Sequence, residues 1–325
     1  MGEVDIQAWL VIVNPQAGSG RGLEEYPQIS RLLRDENIKY EPLFTEHKFH
    51  AVELTVTAIK QGYRKLLIVG GDGTIHEVIN GLFIQQCVEP KEVTIGVIAV
   101  GSVNNWARSA GVPIRIDKAI KVIKRGYTYL QDVGVVSYEE SHYSQTRYFA
   151  NAAGMGFNTF ALKRLKHIHN KGRTGRVRQI ANFIRSFFKY KPTGIKVWID
   201  DKLVWNDLLM SLAIGIGSYN VGGMKQLPNA VVDDGELDLS LFRPIHFWHI
   251  MFRTHYLFDG GIYRIGHILQ QRGAKIRVES TPEISLEVDG ELLGESPFEF
   301  SVMQKAIKVI AHNKRAATLS ARRGK

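Results

Sequence analysis

With 325 residues, 44% of them apolar, the chain has material for a large core and for two domains. No run of 18 apolar residues occurs and the first five residues carry two acids, Glu3 and Asp5, and no base, so neither a transmembrane helix nor a secretory signal is expected. The lone cysteine, Cys87, excludes an internal disulfide and fits a reducing cytoplasm, while a net charge of +10 points to phosphate-bearing partners. In chain order, residues 8–13 read as a buried first strand, followed by the polar loop Asn14-Pro15-Gln16-Ala17-Gly18-Ser19-Gly20 and a helix near 26–34. A second strand over 39–44 ends at Thr45, and a helix covers 49–61. The four apolar residues 66–69 make a third strand. Beyond it Ile75, Val78, Ile79 and Leu82 fall at helical spacing, so the chain turns across Gly70-Gly71-Asp72-Gly73-Thr74. A strand over 93–100 runs into Gly101-Ser102-Val103-Asn104-Asn105-Trp106, and a helix follows over 116–125.

Alternating strands and helices predict a parallel sheet with helices on both faces, and ligands bind such sheets beyond the carboxyl ends of the strands. The three polar, glycine-bearing loops should therefore converge on one crevice. At 70–74 the open N–H groups and dipole of a helix N-terminus favour an anion, and glycine allows close backbone approach. Asp72 stands out there, because a carboxylate repels phosphate unless a cation lies between them. That points to Mg²⁺ and a nucleoside triphosphate. A plain tight turn with Asp72 as a helix cap is the competing reading.

After Asp132 the texture changes. Residues 134–138, 148–153, 194–199, 203–205, 208–216, 237–242, 274–279, 284–288, 298–302 and 306–310 read as strands, interrupted by helical stretches near 159–188 and 247–262. The fold expected is thus α/β. A doubly wound parallel-sheet nucleotide domain (1–133) precedes a β-rich antiparallel sandwich (134–312) and a basic tail (313–325). Residues 163–191 hold ten Lys and Arg with no Asp or Glu. Within that stretch Val177, Ile180, Ile184, Phe187 and Phe188 recur at helical spacing, with Arg176, Arg178, Arg185 and Lys189 between them. The stripe reads either as a core face with solvated charges or as a contact with an anionic bilayer. Nucleic acid is not an expected partner, since no RNP, zinc or helix-turn-helix pattern accompanies the charge.

NPQAG at 14–18, GGDGT at 70–74, GSVNNWAR at 101–108, NAVVDDGELDL at 229–239 and EVDGE at 287–291 occur in one order. In that order they resemble the diacylglycerol kinase catalytic family, in its bacterial soluble, YegS-like lipid-kinase branch related to sphingosine and ceramide kinases. GGDGT alone also marks NAD kinases and phosphofructokinases; the DDGELD and VDGE elements carry the specificity. The resemblance implies ATP contacts at Asn14, Pro15, Gln16, Ala17, Gly18, Thr45, Gly71, Asp72, Gly73, Thr74, Ile75, His76, Glu77, Ser102 and Asn104. It implies Glu291 as the general base toward a lipid hydroxyl, with Asp72 and Asp132 supplying negative charge for Mg²⁺. A second, structural metal is implied at the Val231 carbonyl, the Asp234 side chain and the Glu236 carbonyl. Val103 stands where the family has glycine and Asn105 where it usually has aspartate.

The expected activity is ATP- and Mg²⁺-dependent phosphorylation of a lipid, diacylglycerol first. Another lipid (sphingoid or phosphatidylglycerol-like) or a soluble, NAD-kinase-like substrate is the alternative, and a regulator without catalysis is kept open by Asn105. The expected setting is the cytoplasm, at the periphery of an anionic membrane, with a homodimer left open.

Overall fold

A computed structural model describes residues 7–140, 143–169, 185–246, 248, 256–259, 261, 264 and 266–312. The first half is built on four parallel strands in the order β2-β1-β3-β4: β1 (Trp9–Val13), β2 (Tyr40–Phe44), β3 (Lys65–Gly70) and β4 (Thr94–Ala99). Side chains alternate across a strand, and here each side meets helices. Leu10, Ile12, Leu66 and Ile68 pack on α2 (His50–Lys60) and α3 (Asp72–Ile84). Val11, Val13, Leu67 and Val69 pack on Ile29 and Leu33 of α1 (Arg21–Asp35) and Ile120 and Ile123 of α5 (Ile116–Arg125). Between them the short α4 (Asn105–Ala110) follows β4. Because β1, β3 and β4 are buried on both faces, they read as continuous apolar runs.

The second half is antiparallel. β7 (Ala152–Gly156), β10 (Ser211–Gly215), β11 (Leu237–Phe242), β12 (Ile268–Gly273) and β14 (Ser285–Val288) make one layer. β8 (Thr193–Ile199), β9 (Lys202–Leu209) and β13 (Lys275–Thr281) make another. Their inward faces share one apolar interior that includes Met155, Val197, Ile214, Leu239, Val278, Leu286 and Phe300. Two long strands, β5 (Thr128–Glu140) and β15 (Glu291–Ile310), pair antiparallel and run beside both halves. At its far end β15 joins the parallel sheet, Lys308 and Val309 pairing with Thr94 and Ile95.

The strand expected over 148–153 is two: β6 (Tyr143–Phe149) stops at Phe149 and β7 begins at Ala152. The break lies at Asn151, whose side chain donates to the Tyr219 carbonyl and accepts from Ser109. The strands expected over 298–302 and 306–310 are one, β15, which shifts register between Met303 and Ile307. Edge strand β12 was not expected, for its sequence ILQQRG shows no apolar alternation. From the helix expected over 159–188, α6 (Phe157–His169) and helical residues 185–189 are seen; Arg176, Arg178, Val177, Ile180 and Ile184 lie outside the described residues.

Candidate active site

The glycine-bearing loops that follow β1, β3 and β4 meet at the carboxyl end of the sheet. Backbone bonds tie them: the Asn14 N–H donates to the Val69 carbonyl and the Val100 N–H to the Gly70 carbonyl. The loops touch backbone to backbone, for a Cβ added at Gly101 would lie 2.7 Å from the Gly71 Cα. Gly18 has φ +62° and would carry a Cβ 2.3 Å from the Val100 carbonyl, so only glycine fits there. The Asn14 amide donates to the Thr74 hydroxyl at 2.9 Å, fixing the first loop against the start of α3. Among the described residues no side chain caps α3, so its first-turn N–H groups remain available to an anion.

These loops wall a cavity of about 500 Å³. Of the expected nucleotide residues, Asn14, Gln16, Ala17, Gly18, Thr45, Gly71, Asp72, Gly73, Thr74, Glu77, Ser102 and Asn104 line it, and so does Glu291. Pro15 is not in the lining, and neither are Ile75 and His76. The latter two point behind the loop: Ile75 into the apolar core, His76 to a buried place 3.6 Å from Asp289. Glu77 lines the cavity but spends its carboxylate on the Phe49 and Ala51 N–H groups, capping α2.

Asp72 is a cap too, though of α4 rather than of its own helix. Its oxygens accept from the Asn105 and Trp106 N–H groups at 2.9 and 3.0 Å. Burial raises its pKa, the two N–H bonds oppose that, and the nearby Asp289 charge adds to it. Each oxygen keeps a second lone pair. The Asp72 carboxylate lines the cavity and is an oxygen donor of the kind that Mg²⁺ takes.

Glu291 reaches the cavity from the other half of the chain. Val288 pairs with Glu291 across Asp289-Gly290, both at positive φ, which is the I′ hairpin that Asp-Gly favours. Lys48 holds the Glu291 carboxylate at 2.9 Å while remaining 61% exposed. The turn is anchored by Asp289, whose oxygens accept from the Ala150 and Ala152 N–H groups. Next to the large cavity, and sharing Asp72 and Val103 with it, lies a smaller pocket of about 170 Å³. Asn105, Trp106, Asn151, Leu162, Asn220, Glu287 and Asp289 help line it. None of these but Asn105 entered the sequence reasoning as a site residue. The EVDGE element at 287–291 was the available signal for Glu287 and Asp289.

Asp132 is not brought to the crevice. It is fully buried, its oxygens accepting from the Gly235 and Lys305 N–H groups, and burial raises its pKa. Its work is to fasten the 231–236 loop to β15. In that loop both oxygens of Asp234 are engaged, one by the Glu236 N–H and one by Arg272 at 2.5 Å. Arg272 also reaches Glu236 at 3.0 Å and Asp238 at 3.7 Å, and burial still lifts the Asp238 pKa to about 6. The structural metal expected at Val231, Asp234 and Glu236 therefore does not fit this arrangement: a guanidinium from β12 already supplies the positive charge.

Residues 8–136 match the diacylglycerol kinase catalytic domain, and residues 152–311 match the YegS C-terminal NAD kinase beta sandwich-like domain. A diacylglycerol kinase of Staphylococcus saprophyticus is 26% identical over 310 residues, covering 93% of this chain and 95% of its own. One of Staphylococcus haemolyticus is 27% identical over 308 residues, covering 92% and 86%. Among solved structures, a diacylglycerol kinase from Bacillus anthracis shares the fold with a TM-score of 0.70 at 21% identity, over 95% of this chain and 98% of that one. An NAD kinase from Archaeoglobus fulgidus in complex with ATP gives 0.52 at 14% identity, over 96% and 97%. Together with the glycine-walled crevice, these matches make the protein a kinase. It belongs to the diacylglycerol kinase catalytic family of lipid kinases, with the YegS-type second domain.

Proposed function

We propose that the chain binds ATP in the 500 Å³ crevice and transfers its γ-phosphoryl group to a lipid hydroxyl, diacylglycerol giving phosphatidic acid being the leading pair. One observation carries the proposal: Glu291, from the β-rich half, lines the same cavity as Asp72 and the three glycine loops of the α/β half. Phosphoryl transfer depends mostly on positioning and on neutralising charge. The open N–H groups at the start of α3 hold phosphate oxygens, and Gly73 leaves room for them. Mg²⁺, when bound, would offset triphosphate charge beside Asp72. Glu291 accepts the hydroxyl proton as the bond to phosphorus forms. Lys48, now paired to Glu291, gains a competing anion when a triphosphate enters, which frees the carboxylate to act as base.

The basic stretch supports peripheral contact with an anionic membrane. In its described part Arg185, Phe188 and Lys189 are all exposed, an apolar ring between two cations. No described helix is long and apolar enough to cross a membrane. The test is transfer from γ-labelled ATP with Mg²⁺ into lipid micelles and, separately, into NAD. Label in the lipid phase is expected. Label in NAD alone would overturn the proposal in favour of a soluble-substrate kinase.

A further inference from the structure

We infer that His47, His50 and Glu53, where β2 passes into α2, form a binding site for a divalent transition metal of the Zn²⁺ class, separate from any Mg²⁺ that accompanies a nucleotide. The site stands independently of the lipid-kinase reading. Each of the three side chains offers one ligand atom, and these atoms lie within 4.8 Å of one another. Nitrogen ligands about 2.0 Å from a tetrahedral Zn²⁺ lie about 3.3 Å apart. The side chains therefore have to draw together by about 1.5 Å at most. His47 and Glu53 are exposed and His50 is half-buried, so rotation of the side chains supplies that much without moving the backbone.

The backbone that carries them is held from several sides. The Thr45 N–H donates to the Val13 carbonyl and ties the start of the segment to β1. Phe49, just before α2, has φ +65°, a conformation that a bulky residue keeps only when its surroundings impose it. The Glu77 carboxylate imposes it from α3, accepting from the Phe49 and Ala51 N–H groups at 3.0 and 3.2 Å. The His50 N–H donates to the His47 carbonyl. In this frame the His47 and His50 rings stack, 4.5 Å between centroids and 12° from parallel. Glu53 follows His50 at i, i+3 on the same face of α2.

The ligand set decides the kind of metal. Two imidazoles with one carboxylate suit Zn²⁺, Ni²⁺ or Cu²⁺, whereas Mg²⁺ keeps to oxygen. With its proton on Nδ1, His47 donates to the Lys48 carbonyl at 3.0 Å and leaves the Nε2 lone pair for a metal, the arrangement that metal-bound histidines share. In His50 the Nδ1 accepts from the Glu46 N–H at 3.0 Å, which leaves the ring proton on Nε2. A metal takes this ring when the proton moves to Nδ1 and frees Nε2, or by taking Nδ1 itself. Either way the bond to Glu46 is given up. Filling the site thus couples to the segment whose Glu46, His47 and Lys48 line the nucleotide crevice. Lys48, beside His47 in the chain, does not set its charge against the metal, because its ammonium is turned to Glu291 at 2.9 Å.

The experiment is calorimetric titration of Zn²⁺ into the full chain without an affinity tag, in the absence of nucleotide and with millimolar Mg²⁺ present to fill oxygen sites. The wild type should bind Zn²⁺ and melt at a higher temperature with it, as for any ligand that binds the folded state alone. Glu53→Gln keeps the size of the side chain and removes its charge. Glu53→Gln and His47→Gln should each weaken binding by at least about tenfold, since even a partner behind a metal ligand is worth that much. Their melting temperatures without metal should equal that of the wild type; where His47→Gln melts lower, the exposed Glu53 carries the test. In nitrogen-labelled protein, Zn²⁺ should shift the imidazole resonances that disappear in His47→Gln and His50→Gln. No binding of Zn²⁺ to the wild type would overturn the inference, as would equal binding by the wild type and Glu53→Gln. Zn²⁺ displaced by the millimolar Mg²⁺ would mark an oxygen site and overturn it too. All three results leave the lipid-kinase reading standing, for none of them measures transfer.

Discussion

Gly73 has no positive φ, and among the described residues a Cβ built there meets nothing within 4 Å. Its value is the empty space it leaves at the mouth of α3. Gly73→Val should therefore keep the melting temperature of the wild type and weaken ATP binding at least tenfold in titration calorimetry; unchanged affinity would remove the phosphates from this loop. Asp72 is the opposite case. On sequence it read as a metal ligand or a cap of its own helix, and the structure makes it the cap of α4, thirty-odd residues away in the chain. Asp72→Ala should lose transfer and also destabilise the fold by about 1–2 kcal/mol, the usual cost of a lost cap, seen as a fall of several degrees in a melting scan. That residue type and loop were legible because a carboxylate among glycines is conspicuous. Its partner was not, since a cap across loops leaves no local pattern. Asp132 shows the same limit: a buried acid reads like a catalytic one until both its oxygens are seen on backbone N–H groups.

Among the elements, the parallel strands and their helices were legible because burial on both faces writes continuous apolar runs, and the Asp289-Gly290 hairpin because Asp-Gly supplies the positive φ that the turn requires. Edge strand β12 was not, and it brings the cation that changes the reading of the 231–236 loop. In the pairing of β11 with β12, Arg272 lies opposite Asp238, and its guanidinium gathers Asp234 and Glu236 as well. Removing one partner from a clustered set of charges leaves the others uncompensated. Arg272→Gln should thus lower the melting temperature by several degrees, whereas exhaustive chelation of the wild type should not move it. A lower melting point on chelation, restored by Mg²⁺, would return this loop to a metal site.

At the scale of the molecule, the crevice exists because β5 and β15 run beside both halves, and because β15 begins at Glu291 and ends in the parallel sheet. That an α/β half precedes a β-rich one was legible from a change of texture along the chain. That single strands would join them was not, because pairing over such separations depends on the tertiary partner and not on local pattern. The central claim is that this junction presents a base to a lipid hydroxyl beside bound ATP. It is tested most directly by Glu291→Gln, assayed at saturating lipid with ATP affinity measured on the same preparation. Gln keeps the size of the side chain and removes its basicity. ATP affinity and melting temperature should hold, and kcat should fall by about two to four orders of magnitude, the usual worth of a positioned base. Retention of more than about a third of the wild-type kcat would contradict the account, since a positioned base contributes far more than that.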